Sequence, residues 1–380
     1  MSETRVFTPS LGPAEYVFAL TAEEGADLET ALAGLEARYA ALCASLGLDR
    51  ESAIFRRLFV SDAQNQAARV RASTLAKSDP RAPFALSLVE QPPAFGAKLA
   101  LLAYHLGPDG FSSREALGDG VAVHRMGLTH LWIGGLCAGA EQNPVPMRPQ
   151  TRAVFTRLKE ILAPYQATIR DHCVRTWIYV RDVDLFYQDM VSERREVFAE
   201  EGLTPATHFI ASTGIGGACA HRYDLVAMDS YAIAGLRAEQ VRYLNDFSRL
   251  NAPKEYGVSF ERATEVRYAD RRHVFLSGTA SIDRNGEVVH VGDAEAQLDR
   301  ALDNAAGLLA QGGARLEDLL YLLVYLRDPA DAPRLERRLE RALPDVPRIL
   351  LHAPVCRPQW LVEIEGVAAV RAEESGLPRF

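Results

Sequence analysis

Glu363 and Glu365 stand near the end of the stretch RILLHAPVCRPQWLVEIE, residues 348–365, with Arg348 at its start and Cys356 and Arg357 between them. A carboxylic acid can deliver a proton, and a guanidinium offers a planar fork of donors to an anion. Together these residue types could grip and protonate an anionic molecule. Two apolar runs, ILL and WLVEI, flank a polar turn containing Pro358, which predicts a β-hairpin. In its second arm Leu361, Glu363 and Glu365 share one face, and Trp360, Val362 and Ile364 the other. The competing reading is a solvated strand face, where alternating glutamates are ordinary.

Other stretches offer lesser candidates. ASTGIGGA, residues 211–218, places Thr213, Gly214 and Gly216 at a strand end, where backbone N–H groups could meet a carboxylate. A bulged strand is its alternative, and without a following Lys and helix it is no phosphate loop. Arg175 alternates with Trp177 and Tyr179, so one face of that strand could line a cleft, or simply be half-buried. Arg194 and Arg195 lie on a charged helix whose default is a solvated face. Tyr256, in KEYG, could cap a pocket or punctuate a loop. Ser277, Gly278 and Thr279 could supply donors, or permit close packing through their small size.

The elements that must position these residues read as one unit used three times. IFRRLFVSD (54–62), VRTWIYVRD (174–182) and LLYLLVYLRD (319–328) each close an apolar strand with an acid and precede a helical-looking stretch. Apolar-periodic helices are predicted before them, over 28–46, 150–165 and 294–311. The third unit is clearest: HVFLSGTASID, a turn at Asn285 to Glu287 opening the partner strand VVH, a helix, a strand, a helix over 331–342 and the terminal hairpin, in the order β-β-α-β-α-β-β. The second runs from THLWIGGLCAG to LVAMDSYAIAG. The first, most worn, runs from EYVFAL to KLALLAYHL. Residues 110–125 and 236–270 fit loops or excursions between units. In each unit a sheet would bury the apolar stripes of two helices.

At 380 residues with 48% hydrophobic content, the chain suits two or three domains with real cores. No apolar run approaches the roughly 18 residues of a membrane span, and the N-terminus lacks the pattern of a secretory signal, which points to the cytoplasm. A net charge of −8 disfavours nucleic acid. The cysteines at 43, 137, 173, 219 and 356 are scattered and form no CxxC, and the histidines form no HExxH. These spacings speak against a disulfide framework and against a metal.

The third unit resembles the reactive intermediate deaminase (RidA/YjgF) fold. It does so through Ser277-Gly278, the strand closing at Tyr325 to Asp328, Pro347-Arg348 and Glu363 to Glu365. That family uses Arg and Glu at matching places to bind a carboxylate and activate water, in clefts between the subunits of a trimer. Three units in one chain therefore imply an α+β, RidA/YjgF-like (chorismate mutase-like) architecture arranged as an intramolecular pseudo-trimer. Its expected divisions are a degenerate N-terminal domain over 1–120, a second unit over 121–240 and a C-terminal unit over 241–380. From about residue 129 the series RTWIYVRD, SERREVF, ASTGIGG, FERA, FLSGTASI, GDAEAQ and CRPQWLVEIE resembles the chorismatases, which are built on that fold. The N-terminal third carries no matching motif. AEQVRYLNDFSRL, which looks helical, and then EYGVSFERA stand where that family has a Pro- and Arg-rich stretch.

The resemblance implies cleavage of chorismate to pyruvate and a ring acid, with Glu363 as general acid and Cys356 as the specificity residue of the subtype that makes 3-hydroxybenzoate. Arg348, Arg175, Arg194, Thr213, Gly214, Gly216, Tyr256, Ser277, Gly278 and Thr279 are the candidate substrate contacts, and the match strengthens Arg194, in SERREVF, and the segment ASTGIGG. No cofactor, metal, nucleic acid or membrane is expected, and the chain is expected to act as a monomer. Two other functions stay open at this level: an imine or enamine deaminase using Arg348 and a water, and a non-catalytic small-molecule binder.

Overall fold

The computed structural model of the protein describes residues 2–108, 110–139, 143–251 and 259–380. Its seventeen strands form three sheets. The first holds β1 (Thr4–Phe7), β2 (Glu15–Thr21), β3 (Ala53–Val60), β4 (Ala85–Glu90) and β5 (Leu99–Leu106) in the order β1-β2-β5-β3-β4. The second holds β6 (Ser113–Leu117), β7 (Gly120–Arg125), β8 (Leu128–Cys137), β9 (Cys173–Val180), β10 (Ala211–Gly216) and β11 (Val226–Ala234) in the order β10-β9-β11-β8-β7-β6. The third holds β12 (Val241–Leu244), β13 (Ala263–Arg267), β14 (Arg271–Ala280), β15 (Leu319–Leu326), β16 (Arg348–His352) and β17 (Val362–Arg371) in the order β12-β13-β14-β17-β15-β16. Each sheet contains the same four-strand pattern, β4-β3-β5-β2, β10-β9-β11-β8 and β16-β15-β17-β14. In each, the first two strands are parallel and the third is antiparallel to its neighbours. Three equivalent sheets in one chain are what a threefold repeat requires.

The alternation of each strand divides its side chains between two cores. In the first unit Phe18, Leu20, Leu58, Leu99 and Leu101 pack with Leu32 and Leu35 of α1 (Leu28–Ser45) and Val70 of α2 (Ala63–Arg71). In the second, α3 (Met147–Leu162) and α5 (Val183–Glu200) cover Leu131, Ile178 and Met228, with the short α4 (Ile169–His172) leading into β9. In the third, α6 (Ala294–Gln311) and α7 (Ala332–Ala342) do the same work. The opposite faces converge: Val17, Phe59 and Leu102 of the first sheet, Trp177 and Tyr231 of the second and Phe275 and Tyr321 of the third share one central core. The recurring acid that closes each strand is partly a capping device. Asp62 accepts from Asn65 N and Asp328 from Ala330 N, satisfying helix N-termini, while Asp182 sits at φ 49° and makes no cap.

Four expectations need correction. The stretch 348–365 is no hairpin: β15 lies between β16 and β17, and β16 runs parallel to β15. Of the two readings of residues 110–125, the loop gives way to an excursion, the hairpin β6–β7 turned at Gly118 to Gly120. Residues 236–270 carry β12 and β13, so AEQVRYLNDFSRL is a short 3-10 turn and an edge strand rather than a helix. Finally, β14 takes β13 as its partner, and the turn at 285–287 leaves only an isolated bridge between Ile282 and Val288.

Candidate active site

A cavity of about 230 Å³ opens between the second and third units. β10 contributes Ser212, Thr213 and Gly214. The helix α5 contributes Tyr187, Gln188 and Arg194. The third unit brings Phe260, Arg262, Gly278, Ala280, Cys356, Arg357, Trp360 and Glu363. The alternation of β17 turns both Glu363 and Glu365 toward this interface, where they are 6% and 1% exposed.

Glu363 is the titratable centre. Burial, reinforced by the charge of Glu365, pushes its carboxyl up to about 8, against the opposing pull of Arg175 and Arg262. At neutral pH it therefore carries a proton, in a cavity whose lining includes Arg194, Arg262 and Arg357. Gly278 makes its position possible. β14 carries one extra residue across Ser277 and Gly278 against β17, and a Cβ on Gly278 would collide with Glu363 Oε1. Cys356 faces the same space; burial, with the nearby Glu363, raises its thiol to about 12, and Tyr187 is its hydrogen-bond neighbour. A thiol held protonated in this way is a poor nucleophile.

Glu365 lies behind the cavity as a structural acceptor. Arg175 Nη2 donates to its Oε2 at 2.7 Å, Thr213 Oγ1 donates to the same oxygen, and Tyr325 OH donates to Oε1 at 3.0 Å. Arg175 also donates to Thr213 Oγ1 at 2.5 Å and to the Thr176 carbonyl at 2.7 Å, with its guanidinium over Trp177. This network fixes Glu365 beside Glu363 and anchors β10 to β17.

The expected contacts thus divide. Glu363, Cys356, Arg194, Thr213, Gly214 and Gly278 come together around the cavity. Arg194 is 1% exposed while its neighbour Arg195 is exposed, so the charged helix keeps one arginine inward. Arg175 does not line the cavity, because Glu365, Thr213 and a carbonyl occupy its donors. Arg348 is the clearest departure. It begins β16 opposite Leu322, whereas Glu363 is opposite Tyr325. Its guanidinium is held by Glu336, at 2.6 Å from Nη2, and by the Leu343 carbonyl at 3.0 Å, so it braces α7 instead of a ligand. The parallel course of β16, hidden by the hairpin reading, is the reason.

Three more residues are packing devices. Gly216 donates to the Pro354 carbonyl at 2.9 Å, and a Cβ there would come within 2.8 Å of Pro354 Cδ. Ser277 accepts from Ser212 N and donates to the Glu261 carbonyl, joining the two units, while Thr279 Oγ1 donates back to the Ser277 carbonyl. Tyr256 lies outside the described residues. Sequence reasoning missed Tyr187, Gln188 and Arg262 as cavity residues. Arg262 stood within the FERA segment, whose alternation with β13 was the available signal.

Register explains why this interface differs from the other two. Glu363 is opposite Tyr325, three residues before Asp328. The same place opposite Tyr179, three before Asp182, is Ala227, and opposite Phe59, three before Asp62, it is Ala100. Asp229 matches Glu365 in the second unit and pairs with Arg57 of the first at 2.8 Å and with Tyr179 OH at 2.9 Å. The supporting network recurs there without the acid.

Comparison with known proteins agrees with this architecture. Residues 260–370 match the family described as Endoribonuclease L-PSP. A chorismatase of Streptomyces rapamycinicus is 32% identical over 243 residues, 58% of this chain and 70% of that protein. A 3-hydroxybenzoate synthase of Streptomyces hygroscopicus is 30% identical over 271 residues, 64% of this chain and 76% of that protein. A crystal structure of a chorismatase superposes with a TM-score of 0.64 at 19% identity, covering 95% of this chain and 99% of that one, which shows a shared fold.

Proposed function

The chain belongs to the chorismatase family, and on that premise we propose that it cleaves the enolpyruvyl ether of chorismate to pyruvate and 3-hydroxybenzoate, with Glu363 as general acid. The observation that carries this reading is a buried carboxyl held protonated, near 8, in the wall of an arginine-lined cavity. Protonating the methylene carbon of an enol ether is difficult, and a carboxylic acid that keeps its proton at neutral pH suits the task. Substrate carboxylates would meet Arg194, Arg262 and Arg357 in the cavity lining, Arg262 through donors not given to Asn251 and Arg357 through those not given to the Gly286 carbonyl, with backbone groups of Thr213 and Gly214 alongside.

The oxocarbenium ion formed on protonation is then resolved inside the substrate. The neighbouring ring hydroxyl closes to an arene oxide as pyruvate leaves, and the arene oxide opens to 3-hydroxybenzoate. No net water is consumed. Cys356 supports this ring product by filling space on the cavity wall shared with Glu363 that a capturing water would need. Capture by water would instead leave a dihydroxy-cyclohexadiene acid.

The test is chromatography of the ring product from purified protein and chorismate, with Cys356→Ala alongside. Wild type yielding 3-hydroxybenzoate, and the variant diverting part of the flux to the dihydroxy acid, is the expected result. A dihydroxy acid from the wild type would overturn the ring product while leaving ether cleavage in place.

A further inference from the structure

A second cluster of chemically capable side chains lies at the junction of the first and second units, away from Glu363. The loop between β10 and β11 carries Cys219, His221 and Asp224, and the end of β8 brings Cys137. Donor atoms of Cys137, His221 and Asp224 lie within 4.8 Å of one another. Cys219 Sγ is 3.5 Å from Asp224 Oδ2 and is a hydrogen-bond neighbour of the Cys137 thiol. One sulfur, an imidazole and a carboxylate thus surround one point, and the second sulfur, Cys219 Sγ, adjoins Asp224 and Cys137 at its edge. In a tetrahedral site with bonds of about 2.0–2.3 Å, donors stand roughly 3.3–3.8 Å apart, so small side-chain rotations would close this set.

We propose that Cys137, Cys219, His221 and Asp224 bind one divalent cation of the zinc class as a structural Cys₂HisAsp site, fastening the β10–β11 loop to the end of β8. The loop is already braced in the required shape. Arg181 donates from Nε to the Asp224 carbonyl at 3.0 Å and from Nη2 to the carbonyls of Cys219 and His221 at 3.3 and 3.4 Å. Gln150 holds the Tyr223 carbonyl at 2.9 Å and Leu225 N at 2.8 Å, and Gly139 N orients Asp224 Oδ2 at 3.1 Å. Such outer contacts are what orient metal ligands. Asp224 is 1% and Cys219 6% exposed, as a closed structural site needs, while Cys137 and His221 are half-buried. A cavity of about 380 Å³, lined by Cys137, Cys219 and His221 together with Arg71 and Phe84, gives a cation access. A thiophilic, borderline ion fits this donor set better than magnesium or calcium, which take oxygen.

The experiment uses the full chain, stripped with a chelator under reducing conditions and reloaded with Zn²⁺ or Co²⁺. One equivalent of zinc should survive gel filtration, and cobalt should give thiolate charge-transfer absorption with the intense visible bands of a tetrahedral site. Chelation should lower Tm. Cys219→Ser should lose most of the charge-transfer band. His221→Ala, in a half-exposed loop position, should keep the wild-type circular dichroism and bind about tenfold or more weakly. Wild type holding no more metal than the Cys137→Ser/Cys219→Ser variant would overturn the proposal. So would a Cys137–Cys219 disulfide in protein prepared with reductant and zinc.

Discussion

At the scale of single residues the account turns on Glu363 and the groups that set its proton. With Glu363 as the proposed general acid, the rate of pyruvate release should fall as pH rises through about 8. The same shift has a stability consequence. Its folded pKa lies above the ordinary 4.5, so the native state binds the proton more tightly than the unfolded chain. The stabilisation is complete below about 4.5 and is lost as pH rises through about 8. Glu363→Gln, which has no proton to lose, should therefore gain Tm relative to wild type between pH 5 and pH 9, as thermal melts in a pH series would read. Gly278→Ala is the companion test of position. The added methyl must push Glu363 aside, and displacement by about 1 Å can cost on the order of 10²-fold in rate. Steady-state kinetics should show kcat falling while the melting transition remains cooperative.

At the scale of elements, β10 and β17 are tied by Arg175, Thr213 and Glu365, and this tie both builds the cavity wall and raises Glu363. Replacing Glu365 by Gln removes a neighbouring negative charge and leaves Arg175 without its carboxylate. Two effects follow: the alkaline limb of the pH–rate profile should move to lower pH, and stability should drop by about 3–5 kcal/mol, read by urea unfolding. Many elements were legible from pattern alone. The helix 294–311 follows its apolar spacing and is capped by Asp293, and the strands that lead to Asp62, Asp182 and Asp328 are mostly apolar and buried along their whole length. Pairing was not legible. Nothing in RILLHAPVCRPQWLVEIE says that β15, laid down earlier, slips between its two strands, so the hairpin reading sets Arg348 and Glu363 on neighbouring strands that the fold keeps apart. Arg175 failed for a related reason: its donors are taken by Glu365, a residue far along the chain. The four donors near Cys137 were invisible to spacing rules because the fold, rather than a short motif, brings them together.

At the scale of the molecule, fusing three units lets equivalent positions diverge. Asp229 and Arg57 form a buried pair across the first and second units, with Arg57 over Trp177. Asp229→Ala should cost about 3–5 kcal/mol in unfolding free energy by stranding that guanidinium, while the folded fraction keeps its kcat, because this interface carries Ala227 where the third unit carries Glu363. One acid in three equivalent places means that one substitution should silence the whole chain. The measurement that tests this most directly is the initial rate of pyruvate release from chorismate by wild type and Glu363→Gln at pH 7, with circular dichroism confirming that both are folded. The account predicts steady release by wild type and a loss of about 10²–10⁴-fold in the variant. Comparable rates from the two proteins, or no pyruvate from folded wild type, would contradict it.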